Sequence, residues 1–417
     1  MRMSTANSYD ASISNLQGQQ QSLADQMTKL TSGKRVTSAS DDPVAAARAE
    51  RDLAIMGRSD ANQRALEASR NVVQLGESAV GDASELIQQA RETMVAAGNG
   101  SYTAAERHSQ AIKLKEIRNQ LLNVANRADG GGGFVFGGQG SSSPPFIDAP
   151  GGVQFVGQGG SSQASSSEKL SLSVDGSAVF LSAQTGNGVF AAAPSTNALT
   201  GGANTGTAWM TSGNVSNPSQ VPYPTASGTP PPIYDLQFSV AGGATTYTVL
   251  EDGIAMPAAT GLAYGGDKQS IAIPGRGMSV TLSGGPADGD TFRVQESTNK
   301  LSVFNALDAA IAGLNSSSQN NGQVQQLVNS GISQMDSVIG NLQSARSALG
   351  ETLKRMDGVE SRISSLKLIA QTDRSSAEDL DMIQAFSDFQ NKKTGYEAAL
   401  KSYAMVQKLS LFQYING

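Results

Sequence analysis

Apolar residues recur at seven-residue intervals near both ends of the chain. The positions concerned are Leu16, Leu23 and Leu30 near the N-terminus, and Met382, Phe389, Tyr396 and Tyr403 near the C-terminus. A strict seven-residue repeat keeps one face of a helix turned towards a partner helix. Both ends are therefore predicted to be helices that pack against each other or against other subunits.

A second apolar register accompanies each repeat. Because such faces are costly to expose to water, we predict that both registers form an assembly interface. Its candidate residues are Ile13, Leu16, Leu23, Met27, Leu30, Met382, Phe386, Phe389, Tyr396, Leu400 and Tyr403. An isolated pair of such helices is marginal in water, so we expect the ends to order on assembly. The alternative is an ordinary intramolecular core.

Two further helices are predicted before the middle of the chain. The second helix has another seven-residue repeat, formed by Leu66, Val73, Val80, Ile87 and Met94. The third has a single apolar face, formed by Leu114, Ile117, Leu121 and Val124. The second helix is predicted to start at Ser40-Asp41-Asp42-Pro43, because aspartate caps helices and proline favours their first position.

The middle of the chain has a different pattern. Residues 151–295 contain only eight acidic and four basic residues and are rich in small and turn-forming types. Alternation over 235–240 and 246–250 predicts a β-hairpin, and 278–282 with 291–294 predict a second one. The segment 191–229 is expected to form long loops, in part poorly ordered.

These patterns predict a mainly α rod of long, coiled-coil-like terminal helices with an inserted all-β outer domain. We predict five segments along the chain. They are an N-terminal coiled-coil and export segment (1–40), the two parts of a helical domain (41–150 and 298–375), a β-rich outer domain with long loops between those parts (151–297), and a C-terminal coiled-coil segment (376–417).

Composition argues against several classes of function. The net charge of −6 disfavours a nucleic-acid partner, and the lack of cysteine excludes disulfides and thiolate metal sites. No run of about 18 apolar residues predicts a membrane span. The N-terminus also lacks the apolar region of a cleaved signal peptide.

Residues that could carry chemistry are scarce. His108, the one histidine, lies in a polar helical stretch and is expected to be solvated. The glycines from 130 to 133 have no following lysine, so we interpret them as a turn into a β-strand rather than a phosphate loop. Asp41 and Asp42 lack the ligand spacing of a calcium loop. No catalytic, metal or cofactor-binding residue is predicted, so the protein is expected not to be an enzyme.

Two stretches resemble a known family. The first contains Ser32, Gly33, Lys34, Arg35, Asp41, Asp42 and Pro43, and the second, at the C-terminus, contains Leu409, Leu411 and Phe412. Both are similar to the bacterial flagellin superfamily, as is the stretch 123–138. The resemblance covers roughly 1–150 and 300–417, whereas the loop region 155–230 departs from the compact family pattern.

The resemblance implies a flagellin-like fold and a structural adaptor that joins the flagellar hook to the filament as a ring layer. It implies export of the unfolded chain by the flagellar type III apparatus, without a cleaved signal, to an extracellular site. The implied partners are further copies of the chain, a hook-associated protein on the hook side, flagellin on the filament side, and a cytoplasmic chaperone at the C-terminal helix. The alternatives are the filament subunit flagellin and, less favoured, a secreted adhesin acting through the loops around Trp209.

Overall fold

A computed structural model describes residues 5–139, 142–160, 163–164, 170–171 and 173–415. The chain forms two compact units, Met1–Arg64 with Gly358–Gly417, and Ala65–Asp357. Long helices towards both ends and a β-rich insertion confirm the predicted fold class. The finer division into five segments stays a prediction.

The helical elements account for most of the described residues. They are α1 (Thr5–Ser32), α2 (Pro43–Ala97), α3 (Ala104–Ala125), α4 (Gly176–Phe180), α5 (Val303–Asn315), α6 (Asn321–Glu378) and α7 (Met382–Ile415). The start of α2 matches the prediction, because Asp42 Oδ1 accepts a hydrogen bond from the Ala45 amide at 3.0 Å and Pro43 is the first helical residue. Thr103 and Glu106 form a capping box at the start of α3.

The unit Ala65–Asp357 has a helical part with a dry core. All members of the predicted repeat on α2 are at most 1 % exposed: Leu66, Val73, Val80, Ile87 and Met94. Ion pairs of 2.6 Å join α2 to α6, at Arg70–Asp357, Arg346–Glu77 and Arg91–Asp336. Since small residues alternate with the large ones on α2, a neighbouring helix can pack closely along this face.

A second contact in this unit joins α3, α5 and the first strands. α3 packs on α5, and the buried guanidinium of Arg118 donates to both carboxylate oxygens of Asp148 (2.8 and 2.7 Å) and to Asp308 (3.1 Å). The Asp148 hydrogen bonds raise the pKa of Arg118 further above its usual value. Phe146 and Phe180 pack edge to face beside this ion pair, with ring centroids 5.5 Å apart.

The strands lie between α3 and α5 in the chain. They are β1 (Phe146–Ala149), β2 (Gly152–Phe155), β3 (Gln163–Ala164), β4 (Leu170–Ser171), β5 (Phe190–Pro194), β6 (Trp209–Met210), β7 (Asn214–Val215), β8 (Tyr234–Ala241), β9 (Ala244–Glu251), β10 (Ile254–Ala255), β11 (Leu262–Ala263), β12 (Gln269–Ile273), β13 (Met278–Ser283) and β14 (Thr291–Glu296). β1 pairs with β2, and β3 with β4.

The remaining described strands form two antiparallel sheets. One has the order β10-β9-β8-β14-β5, with β11 also on β9, and the other has the order β12-β13-β6, with β7 also on β13. Alternate residues of both sheets, including Phe238, Val249, Ile271, Val280 and Phe292, share one buried core. This arrangement is a β-sandwich.

The first predicted hairpin is confirmed. β8 and β9 pair in register, from Tyr234 opposite Glu251 to Ala241 opposite Ala244. The connecting Gly242 and Gly243 have φ values of 60° and 82°, which only glycine adopts readily. Two residues with positive φ are typical of the turn that matches strand twist.

The second predicted hairpin is wrong. The strands exist, but β13 pairs with β12, β6 and β7, whereas β14 pairs with β5 and β8 in the other sheet. The connection 284–290 therefore crosses from one sheet to the other. Asp290 fixes this crossing, because its buried carboxylate accepts hydrogen bonds from the amides of Thr205, Gly206 and Ala287, and from Asn197 Nδ2.

Two loop expectations also need correction. The segment 191–229 contributes β6, β7 and most of β5. Side-chain amides at the start of α6 hold its backbone: Asn320, just before α6, donates from Nδ2 to the Thr205 carbonyl at 3.1 Å. The glycines from 130 to 133 lead not into a strand but into isolated bridges, such as Ala128 with Phe134, and the first strand begins at Phe146. A long-range bond thus holds the first segment, and a local bridge across the glycines holds the second.

Candidate assembly interface

The two terminal helices pack against each other. α1 and α7 are in contact, and Gln26 Nε2 of α1 donates to the carbonyl of the buried Ala385 at 3.3 Å. The prediction that the two ends pair is therefore confirmed within one chain. Each helix therefore buries part of its apolar face against the other helix of the same chain.

Pairing divides the predicted interface residues into two sets. The half-buried set comprises Leu16, Leu23, Leu30, Phe389, Tyr396 and Tyr403. The exposed set comprises Ile13 (40 %), Met27 (58 %), Met382 (52 %), Phe386 (57 %) and Leu400 (41 %). Almost every member of the seven-residue repeats belongs to the half-buried set, and the second registers form most of the exposed set. Both helices of the pair thus carry exposed apolar side chains.

Two members of the half-buried set, Leu16 and Tyr403, also line a groove between the two helices. This groove has a volume of about 420 Å³, and its lining combines apolar residues such as Val406 with polar ones such as Asn15 and Gln19. Val406 and the nearby Met405 remain more than half exposed.

The sequence patterns missed several exposed apolar side chains. Ile383 is 87 % exposed, and Leu366, Leu368 and Ile369 on α6 are each more than half exposed. None of them lies in a seven-residue repeat, so spacing alone gave no signal. Their apolar character within polar helical stretches was the only available sign.

The superfamily signature lies at the turn between α1 and α2. Gly33 ends α1 with a φ of 68°, and its carbonyl accepts a hydrogen bond from the Leu380 amide at 3.0 Å. The Arg35 amide donates to the Glu378 carbonyl at 2.6 Å. This turn therefore pairs with the connection between α6 and α7.

Ion pairs reinforce the same junction. Lys34 Nζ lies 2.9 Å from Glu378 Oε2 and lowers the pKa of that carboxyl, and Arg35 Nη1 lies 3.2 Å from Asp42 Oδ2. Arg35 Nη2 also donates to the Ala377 carbonyl at 2.9 Å. Basic signature residues thus link the start of the chain to its end.

The acidic signature residues organise the turn itself. Asp41 Oδ2 accepts from the hydroxyl and amide of Thr37 and from the Ser38 amide, at 2.9, 3.0 and 3.0 Å. These bonds lower the pKa of Asp41 to about 2. The hydrogen bond from the Ala45 amide, followed by that from Arg35, lowers the pKa of Asp42. Both carboxylates are held by the fold.

The C-terminal signature residues are Leu409, Leu411 and Phe412. Their backbone is part of α7, but their side chains lie outside the described part of the chain. The first four residues also lie outside it.

His108 is exposed, as expected, and its Nδ1 lies 2.7 Å from Asn315 Oδ1. No cluster of three His, Asp or Glu side chains suited to a metal occurs in the described ranges. Within the same ranges, no helix combines the length and apolarity that a bilayer crossing requires.

Two family models match this chain. The bacterial flagellin N-terminal helical region matches residues 3–141, and the bacterial flagellin C-terminal helical region matches residues 332–415. Together these ranges cover more than half of the sequence. The chain belongs to the flagellin family. The matched ranges contain both terminal helices and the signature turn, and they leave the β-sandwich of this flagellin-family chain uncovered.

One relative of this chain is a hook-associated protein. The chain is 32 % identical over 184 residues to flagellar hook-associated protein 3 of Salmonella typhimurium, a match that covers 43 % of this chain and 57 % of that protein. The chain thus spans little more than half the length of that curated relative.

Solved structures resemble this flagellin-family chain over a larger share of its length than the curated relative does. The flagellar junction protein FlgL from Legionella pneumophila is 26 % identical, with a TM-score of 0.66 and coverage of 80 % of this chain and 100 % of that one. Xanthomonas campestris FlgL is also 26 % identical, with a TM-score of 0.65 and coverage of 78 % and 99 %.

Proposed function

We propose that this chain is a structural adaptor that joins the flagellar hook to the filament as one ring layer of subunits. The observation that carries the proposal is the exposed set on α1 and α7, in a chain similar to proteins named for the junction. Neighbouring copies bury this set. Burial of a few hundred Å² per copy at ~25 cal/mol per Å² supplies several kcal/mol, which a ring multiplies.

The partners follow from this position. Besides other copies, the chain contacts a hook-associated protein on the hook side and flagellin on the filament side. A cytoplasmic chaperone covers the C-terminal helix before export, because Phe386, Leu400 and Met405 are exposed apolar residues that promote aggregation. The chain reaches its extracellular site through the flagellar export apparatus. The proposed role requires neither catalysis nor a nucleic-acid or membrane partner.

A pair of adjacent substitutions tests the role of the exposed set. Phe386→Asp places a charge within the set, whereas Ser387→Asp places the same charge on the next, polar position of α7. Both chains should keep the helical content of the parent, measured by circular dichroism. Cells with Phe386→Asp should lose filaments while their hooks persist, and cells with Ser387→Asp should swim. Normal filaments with Phe386→Asp would show that another surface mediates assembly.

The location of the chain tests the adaptor role against flagellin. Antibodies against the β-sandwich should label isolated flagella at one point, between hook and filament. Labelling along the whole filament, or growth of the purified chain into long filaments when seeded, would identify it as the filament subunit. Labelling of cell-surface structures other than the flagellum would favour an adhesin.

A further inference from the structure

The chain has three Asn-Gly pairs in its described residues, at Asn99, Asn187 and Asn321. A fourth pair, 416–417, lies outside them. Asparagine followed by glycine can lose its side-chain amide, because the unhindered glycine nitrogen attacks the side-chain carbonyl carbon. The fold places the three pairs in different surroundings, which makes them internal comparisons for one another.

Asn99 lies in the exposed turn between α2 and α3. Its Oδ1 accepts hydrogen bonds from the amide and hydroxyl of Ser101, at 3.1 and 2.9 Å. The ring closed by the first bond contains both Asn99 Cγ and the Gly100 nitrogen, so the reacting atoms are kept close together. The two Ser101 donors also point at the oxygen on which negative charge develops during attack.

The leaving group of Asn99 is unrestrained. Among the described residues, none accepts a hydrogen bond from its Nδ2, and both Asn99 and Gly100 are exposed. A Cβ built on Gly100 meets no atom within 4 Å. Water and solvent bases therefore have open access to every reacting atom.

The other two pairs are restrained. Asn187 Oδ1 accepts a hydrogen bond from the Val189 amide at 3.0 Å, as Asn99 Oδ1 does from the Ser101 amide. Asn187 Nδ2, however, also donates to the carbonyls of Ser212 and Gly213, at 3.4 and 3.2 Å, which holds the leaving nitrogen. Gly322 is buried in the first turn of α6, against the backbone of Thr207. Helical backbone there restricts the rotation that would bring its nitrogen to Asn321 Cγ.

We propose that Asn99 is a self-modification site, at which the Gly100 nitrogen converts the asparagine into aspartate or isoaspartate. The Gly100 N–Cγ bond forms as the Gly100 proton passes to solvent. The Cγ–Nδ2 bond then breaks, and Nδ2 leaves as ammonia after protonation. Water opens the resulting succinimide at either carbonyl. The reaction requires no reagent except water and proceeds in the folded chain.

The product alters the end of α2. A carboxylate at position 99 follows the last turn of α2, where the helix dipole disfavours negative charge. Isoaspartate also adds a carbon to the backbone of the turn, whose Tyr102 amide donates to the Asn99 carbonyl at 3.0 Å. The converted fraction at position 99 therefore increases with the age of the protein, and the change is confined to the connection between α2 and α3.

Peptide mapping by mass spectrometry tests this site. The purified full-length chain is incubated at mildly alkaline pH, folded or in urea, and conversion is followed at 99, 187 and 321. In the folded chain Asn99 should convert at least about tenfold faster than the other two, a difference of about 1.4 kcal/mol in the barrier. In urea the three rates should converge. Equal rates in the folded chain, or faster conversion at Asn187 or Asn321, would overturn the proposal.

Two variants separate the contribution of Gly100 from that of the Ser101 hydroxyl. Gly100→Ala fits the open space and should slow conversion of Asn99 in both the folded and the unfolded chain, because the added methyl hinders attack. Ser101→Ala removes one donor to Oδ1 and should slow conversion only in the folded chain. An unchanged folded rate with Ser101→Ala would show that the hydroxyl has no part in the reaction and would overturn that part of the proposal.

Discussion

The helices α2 and α7 carry the same seven-residue repeat but bury it to different extents. On α2 the repeat from Leu66 to Met94 is at most 1 % exposed. On α7, Phe389, Tyr396 and Tyr403 are half-buried, and Met382 is 52 % exposed. The 66–94 part of α2 lies in a unit where ion pairs join it to α6, whereas α7 has α1 as its paired helix. The seven-residue spacing therefore predicts that a helix face will pack. The number of neighbouring elements decides how completely that face is buried.

Matched isoleucines give the largest expected difference between the two regions. Ile87 on α2 is fully buried and Ile383 on α7 is 87 % exposed. Ile87→Ala should lower the free energy of unfolding by about 2–5 kcal/mol, because it leaves a cavity. Ile383→Ala should change that free energy by less than about 0.5 kcal/mol. Urea unfolding measures both, and equal losses would contradict the burial difference.

The next largest effect concerns Arg118 in the well-packed unit. Arg118→Ala removes the partner of Asp148 and Asp308 and should cost about 2–3 kcal/mol, below the range for fully buried pairs because both aspartates are partly exposed. The control is Arg346→Ala, which breaks a more exposed pair with Glu77 and should cost under about 1 kcal/mol. Thermal or urea unfolding compares the two. A smaller loss for Arg118→Ala than for the control would contradict this account.

The crossing between the two sheets provides a third test. Asp290→Asn replaces one acceptor oxygen by a donor that faces backbone amides, so we expect a loss of about 2 kcal/mol. Asp288→Asn is the control, since the hydrogen bond that its side chain accepts from the Val240 amide can be kept by the asparagine oxygen. Urea unfolding of both variants measures the difference. Indistinguishable stabilities would show that Asp290 does not hold the crossing.

The smallest expected effect lies in the signature turn. The pKa of Asp41 falls from 3.8 to about 2 on folding, so its stabilising bonds are fully present above the unfolded value. They are lost as the pH falls through the folded value. NMR titration should therefore show the Thr37 and Ser38 amide signals changing with a midpoint at about pH 2. The change should be absent in Asp41→Asn, and a midpoint near 3.8 in the parent chain would contradict these hydrogen bonds.

Local sequence signals predicted a large part of the fold. Caps, proline and apolar spacing gave the start of α2 and its buried face, because these features act within a few residues. The β8–β9 hairpin was also predictable, since its turn and its alternation adjoin each other in the chain. The flagellin-type signature was recognised from the residues of the turn after α1, although its pairing with 378–380 was not predicted.

The parts that failed depend on distant contacts. β13 and β14 read as a hairpin, yet Asp290 and the loop 195–207 direct them into separate sheets. Asn126 shows the same limit: its side-chain amide donates to the Phe146 carbonyl at 2.8 Å and accepts from the Phe146 amide at 2.9 Å. A side chain that replaces a backbone partner leaves no periodic signal.

The sequence predicted which residues form the candidate interface, but not which of them are half-buried and which are exposed. Spacing selected apolar residues on α1 and α7, six of which are half-buried in the described chain. It could not tell which of them α1 and α7 cover for each other, because both registers of each helix contain apolar residues. The structure separates the half-buried set from the exposed set, and the role of the exposed set in assembly stays a prediction.

Amide hydrogen exchange tests the central claim most directly, by comparing α7 with α2 in the same molecule. In the dilute single chain, residues 382–406 should exchange far faster than residues 66–94. In hook–filament preparations that contain the chain, the same α7 residues should become protected. Protection of 382–406 equal to that of 66–94 in the dilute chain would contradict the account, because the terminal helices would then be complete without a neighbour.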